Sequence, residues 1–142
     1  MKILVLQGPN LNLIGVRSAQ LGHRITLDKI NRSLRQAAKD YDRELKFLQT
    51  HRIDKALTFI QRNRNSAQGI LLAPMAWARY ELSLLETLQL VNLPVVQVLF
   101  DEEFGFGPIA GESIYTDFCR ATVAGQPDSV FNAGLDILIS NL

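Results

Sequence analysis

The chain has a single cysteine, Cys119, so it can form neither an internal disulfide nor a cysteine-ligated zinc site. It has no excess of one charge: 15 basic and 14 acidic residues leave a net charge of +1. The dense basic surface that nucleic-acid binding usually shows is therefore missing, and no nucleic-acid partner is expected. No apolar run approaches the ~20 residues that cross a bilayer, so no membrane partner is expected either. There is no internal repeat and no linker-like tract. The first Gly-containing loop lacks the Gly-Lys-Ser/Thr ending of a phosphate-binding loop and the spaced glycines of a dinucleotide fingerprint. The opening Met1 to Leu6 is too short for a signal peptide and runs into Gln7-Gly8-Pro9-Asn10 without a small-residue cleavage site, so a cytoplasmic protein is expected.

What is present is a globular composition: 142 residues, 47% hydrophobic and 20% charged. That length suits one domain spanning residues 1–142 with a sizeable core. Two periodicities alternate along it. Short apolar runs at Lys2–Gln7, Glu44–Thr50, Gly69–Ala73, Val95–Phe100 and Ala121–Gly125 read as strands. Between them, Leu27, Ile30, Leu34, Ala38 and Tyr41 recur at helical spacing behind a capping Thr26, and Ile53, Ala56, Leu57 and Ile60 mark a second helix. Arg79 to Val91 reads as a third helix, and Asp128 or Ser129 can cap a last one carrying Phe131, Leu135 and Leu138. The stretch between Gln7 and Thr26 reads as a loop. Apolar strands alternating with amphipathic helices imply an α/β fold, a flavodoxin-like doubly wound five-stranded parallel sheet of order 2-1-3-4-5.

Ligands of such sheets bind beyond the carboxyl ends of the strands. The segments there are Gly8–Gly22, Thr50–Ile53, Pro74–Arg79 and Asp101–Ser113. Asn10 and Asn12 can orient a ligand by directional hydrogen bonds, or can simply satisfy turn backbone. Arg17 can bind a carboxylate or act on a neighbouring acid. His51 follows the second strand at the ligand end, and His23 lies in the first loop. Tyr80 and Tyr115 are acid–base candidates where an arginine such as Arg17 or Arg79 lies beside them; packing is the alternative for each. Asp101, Glu102 and Glu103 could hold a cation or, with His51, a metal, or form a solvated acidic loop. Trp77 could stack on a ligand or pack at a subunit interface. Cys119 borders an apolar strand and reads as inert.

The run Lys2-Ile3-Leu4-Val5-Leu6-Gln7-Gly8-Pro9-Asn10-Leu11-Asn12-Leu13-Ile14-Gly15-Val16-Arg17 resembles the amino terminus of type II dehydroquinases, which dehydrate 3-dehydroquinate. The resemblance extends in length and element order to Gln49, Pro74, Pro94-Val95 and Gly125. It implies the fold inferred above, no metal or other cofactor, a homo-oligomer built from trimers into a dodecamer, and a small-molecule ligand held by Asn10, Asn12 and Arg17. It implies departures as well. The family's base, a tyrosine before a glycine, falls at Leu21. Its acid, a histidine, falls at Leu99, and the supporting glutamate at Gln97. A substrate-binding histidine falls at Arg79, the Ser-Asn pair that grips the substrate carboxylate at Asp101-Glu102, and an arginine at Phe106. Glu86 stands where the family has an aspartate contributed across the trimer interface. Each general acid or base lost typically costs about 10²–10⁴ in rate. The expectation is a diverged lyase for another substrate, with Arg17, His51 and Tyr115 as catalytic candidates, and His51, Arg79, Glu86 and Asp101 added to the binding set. The alternatives are a non-catalytic binding or structural protein, or a 3-dehydroquinate dehydratase with a substitute acid and base.

Overall fold

In the structure, a computed structural model that describes residues 2–142, the first element is β1 (Lys2–Gln7), buried from Ile3 to Gln7. It lies between β2 (Glu44–Gln49) and β3 (Ala67–Ala73). β4 (Val95–Phe100) and β5 (Ala121–Gly125) complete an all-parallel sheet of order β2-β1-β3-β4-β5, the flavodoxin-like doubly wound topology. The three inner strands are apolar runs because helices cover both their faces. The edge strands are only partly buried, and β2 carries exposed Glu44 and Lys46, charges that discourage further strand pairing.

Strand alternation divides the core in two. Ile3, Val5, Leu71, Val96, Val98 and Phe100 face α2 (Leu27–Asp40) and α5 (Pro127–Ser140). Leu4, Leu6, Ile70, Leu72 and Val95 face α3 (Ile53–Asn63) and α4 (Leu82–Val91). Thr26 caps α2 as expected, its Oγ1 accepting the Lys29 N–H at 3.3 Å. α5 starts one residue before the expected caps, at Pro127, whose fixed φ suits the first helical position.

Two segments differ from the sequence expectation. The loop after β1 contains a 3-10 turn, Leu11–Leu13, and a seven-residue helix, α1 (Ile14–Gln20). Too short to show a period, this helix is held by the burial of Leu11, Ile14 and Ser18. The third helix begins at Leu82 and not at Arg79. Met75–Arg79 is a separate 3-10 turn, and Tyr80, whose φ of −153° lies outside the helical range, parts it from α4.

A candidate ligand site at the carboxyl edge of the sheet

Gly8 brings the first three strand ends together. Its N–H donates to the Ala73 carbonyl at 2.9 Å, and a Cβ there would collide with the Pro74 carbonyl oxygen. Gln49 Nε2 donates to the Gly8 carbonyl at 3.0 Å, and the Thr50 N–H to that of Gln7 at 3.0 Å. Above this platform Asn10 adopts φ +70°, a left-handed conformation that Asn tolerates, and its carbonyl accepts the Leu13 N–H at 2.8 Å. The side chains of Asn10 and Asn12 are exposed at this edge.

Arg17 lies half-buried on α1. Its Nε donates to the Phe104 carbonyl at 2.8 Å and its Nη1 to Gln20 Oε1 at 3.2 Å. Phe104 belongs to the 3-10 turn Glu102–Phe104 that follows β4, and its ring packs among Phe100 and Phe106 with centroids 6.0 and 6.2 Å away. Arg79 reaches the same β4–β5 connection: its Nη2 lies 3.5 Å from Glu112 Oε1, which also accepts the Ile109 N–H at 3.1 Å. That N–H, and then the guanidinium, hold the Glu112 carboxyl below the ordinary glutamate range. Asp101 Oδ2 accepts from Gln126 Nε2 at 3.1 Å, just before α5. Arg17, Arg79 and Asp101 are thus all committed to one connection or to its flank. His51 is exposed beyond β2, and Glu86 is exposed on α4.

Other candidates fall elsewhere. Tyr115 is fully buried, and its O–H is shared between the carbonyls of Trp77 at 3.1 Å and Glu81 at 2.8 Å. Burial first, then the nearby Glu81 charge, raises its phenol above the ordinary range, the reverse of what an acid–base role beside an arginine requires. Tyr115 is a strut between the connection and the turn after β3. Trp77 is 1% exposed in the α3–α4 half of the core, so it offers no stacking surface. Burial pushes the Cys119 thiol up to about 12, in keeping with an inert side chain. Among the described residues no three His, Cys, Asp or Glu side chains stand together as metal ligands, so His51 does not join Asp101, Glu102 and Glu103 in a cation site. Leu21, Leu99 and Phe106 do not fill one pocket. Leu21 is 37% exposed after α1, Leu99 is buried, and Phe106 stacks on Phe100 on the sheet face opposite Leu99.

Gln97, which the sequence reading named only as a replaced glutamate, and Ser18, which it passed over, hold the edge together. Gln97 is fully buried with both ends of its amide engaged: Oε1 accepts from the Ser113 hydroxyl, and Nε2 donates to Thr116 Oγ1 at 3.1 Å and Thr122 Oγ1 at 3.0 Å. A glutamine inside an otherwise apolar strand was the available signal. Ser18, also buried, accepts the Ile25 N–H on its Oγ at 2.8 Å and fastens the turn after α1, whose Gly22 sits at φ +79°. A hollow of about 490 Å³ between the last turns of α3 and α4, lined by Arg64, Thr87 and Leu90 among others, lies at the opposite, amino end of the strands. Open α/β sheets do not place their ligands there.

Comparison with known proteins gives one consistent result. The sequence profile of the family described as "Dehydroquinase class II" matches residues 1–139. The 3-dehydroquinate dehydratase of Carboxydothermus hydrogenoformans is 31% identical over 142 residues, covering 100% of this chain and 92% of that protein. That of Campylobacter lari is 26% identical over 125 residues, 88% of this chain and 78% of that one. The crystal structure of the type II dehydroquinase from Butyrivibrio crossotus superposes with a TM-score of 0.84 at 23% identity, over 98% of this chain and 97% of the other. A 3-dehydroquinate dehydratase-like protein from Bifidobacterium longum gives 0.67 at 20% identity, over 99% of both. At these identities the structural likenesses establish the fold.

Proposed function

Because this chain belongs to the class II dehydroquinase family, we propose that it is a diverged small-molecule lyase of that family, acting on a substrate other than 3-dehydroquinate at the carboxyl edge of its sheet. One contrast carries the reading. Asn10, Asn12 and Arg17 remain at the edge, while Leu99 and Gln97 are sealed into the sheet where the resemblance puts a histidine and a glutamate. Leu99 stands at the place of the acid and Leu21 at that of the base, and leucine cannot trade a proton. Losing a general acid and a general base removes about 10²–10⁴ each from the rate. His51 is the imidazole just beyond the end of β2, and it would serve a reaction of different geometry. The same reading places the protein in the cytoplasm as a trimer-based homo-oligomer, with Glu86 of one copy approaching the site of the next.

The first experiment is turnover of 3-dehydroquinate beside an authentic type II dehydroquinase. The expected rate is lower by at least about 10⁴, the lower end of two such losses combined. A near-control rate would overturn the substrate change and turn attention to His23, His51 and Tyr80. A second reading, a binding protein without catalysis, draws on the pairing of Arg17 and Arg79 within the chain and on the locked Tyr115. A dehydration activity found by substrate screening and reduced in His51→Gln would decide against it.

A further inference from the structure

An arginine grips a carboxylate best side-on, through two parallel N–H groups. In Arg17 the edge formed by Nε and Nη2 is turned onto the chain's own backbone. Nε donates to the Phe104 carbonyl at 2.8 Å, and Nη2 lies so flat on Gly105 that a Cβ there would stand 2.6 Å from it. The corner beyond, Nη1, already holds Gln20. A peptide carbonyl therefore sits where the first oxygen of a bound carboxylate would sit. The peptide plane that carries this carbonyl also carries the Gly105 N–H, which donates to the Glu102 carbonyl at 2.9 Å. Gly105 stands at φ +62° and Gly107 at φ +83°, conformations that glycine enters and leaves freely. The Phe104 ring beneath is buried against Phe100 and Phe106, so the plane can turn about an anchored side chain.

We propose that the Phe104–Gly105 peptide is a built-in competitor for Arg17: a carboxylate-bearing ligand binds by turning this peptide plane off the guanidinium. The proposal rests on the reading of Arg17 as a ligand group. The exchange is favourable because a carboxylate offers the guanidinium two parallel bonds and an opposite charge, where the peptide carbonyl offers one bond to a neutral oxygen. A ligand shifts such an equilibrium only through its different affinity for the two states, so binding and the plane's orientation are reciprocally linked.

The test follows the Gly105 amide by hydrogen exchange and the Arg17 Nε resonance by NMR, with quinate and acetate as carboxylate probes. On saturation with either probe the Nε resonance shifts, and the Gly105 amide exchanges about ten-fold faster as its bond to Glu102 opens. The Phe104 amide, bonded to the Asp101 carbonyl, stays protected. Gly105→Ala, which crowds the guanidinium but leaves Arg17 in place, should bind the probes several-fold more tightly. Arg17→Lys, which keeps the charge and loses the side-on edge, should speed Gly105 exchange without any probe. A shifted Nε resonance with unchanged or stronger Gly105 protection would overturn the switch and leave Arg17 as a ligand group. No Nε shift with either probe, in wild type and in Gly105→Ala, would remove the ligand reading of Arg17 and the switch with it.

Discussion

At the scale of the residue, Tyr115 shows how burial decides a role. Tyr115→Phe keeps the ring and deletes the O–H that serves two carbonyls. A buried acceptor left without its donor costs about 1–3 kcal/mol, so chemical denaturation should show that loss with an unchanged fold. The folded phenol titrates above the ordinary value of 10.0. Its contribution is therefore complete below pH 10.0 and is lost as the pH climbs toward the higher folded value. The stability gap between wild type and Tyr115→Phe should accordingly narrow in strong alkali. Nothing near Tyr115 in sequence reveals this, because its partners Trp77 and Glu81 lie 38 and 34 positions away. The same distance effect hid the fate of Arg17. Its place beyond a strand was readable, but its tie to Phe104, 87 positions on, was not.

At the scale of the element, the β4–β5 connection behaves as a framework more than as a loose loop. Gln97 braces it through Ser113 and Thr116, and ties it to β5 through Thr122. Gln97→Ala would strand three hydroxyls around a void, and we expect a loss of about 2–4 kcal/mol in chemical denaturation. Gln97→Glu should fold better than Gln97→Ala, because Ser113 already donates to this position and the Thr122 hydroxyl can rotate into a donor, while Thr116 keeps its bond to the Ala110 carbonyl. The strands and the long helices were legible because each shows its period over several residues. α1 and the turn Met75–Arg79 were not, being governed by left-handed residues and local burial that leave no period.

At the scale of the whole molecule, the order of the sheet followed from apolar strands alternating with helices, since a parallel strand pair needs a crossover and cannot be a hairpin. A chain cut after Asn92 would retain β2, β1 and β3 but leave the apolar Ile70–Leu72 edge of β3 without its partner β4. Such a fragment should fail to unfold cooperatively and should aggregate, which light scattering and a denaturant titration would show.

The same topology sets a timetable during synthesis. β1 is made first, yet both strands that flank it come later, and β3 must then wait for the whole of α4 before β4 arrives. At ribosomal speeds of roughly 5–20 residues per second, that wait lasts on the order of seconds. For that interval the most apolar edge of the nascent sheet stands open, and the stretch from Ala67 to Ala73 becomes the natural place for a chaperone to bind.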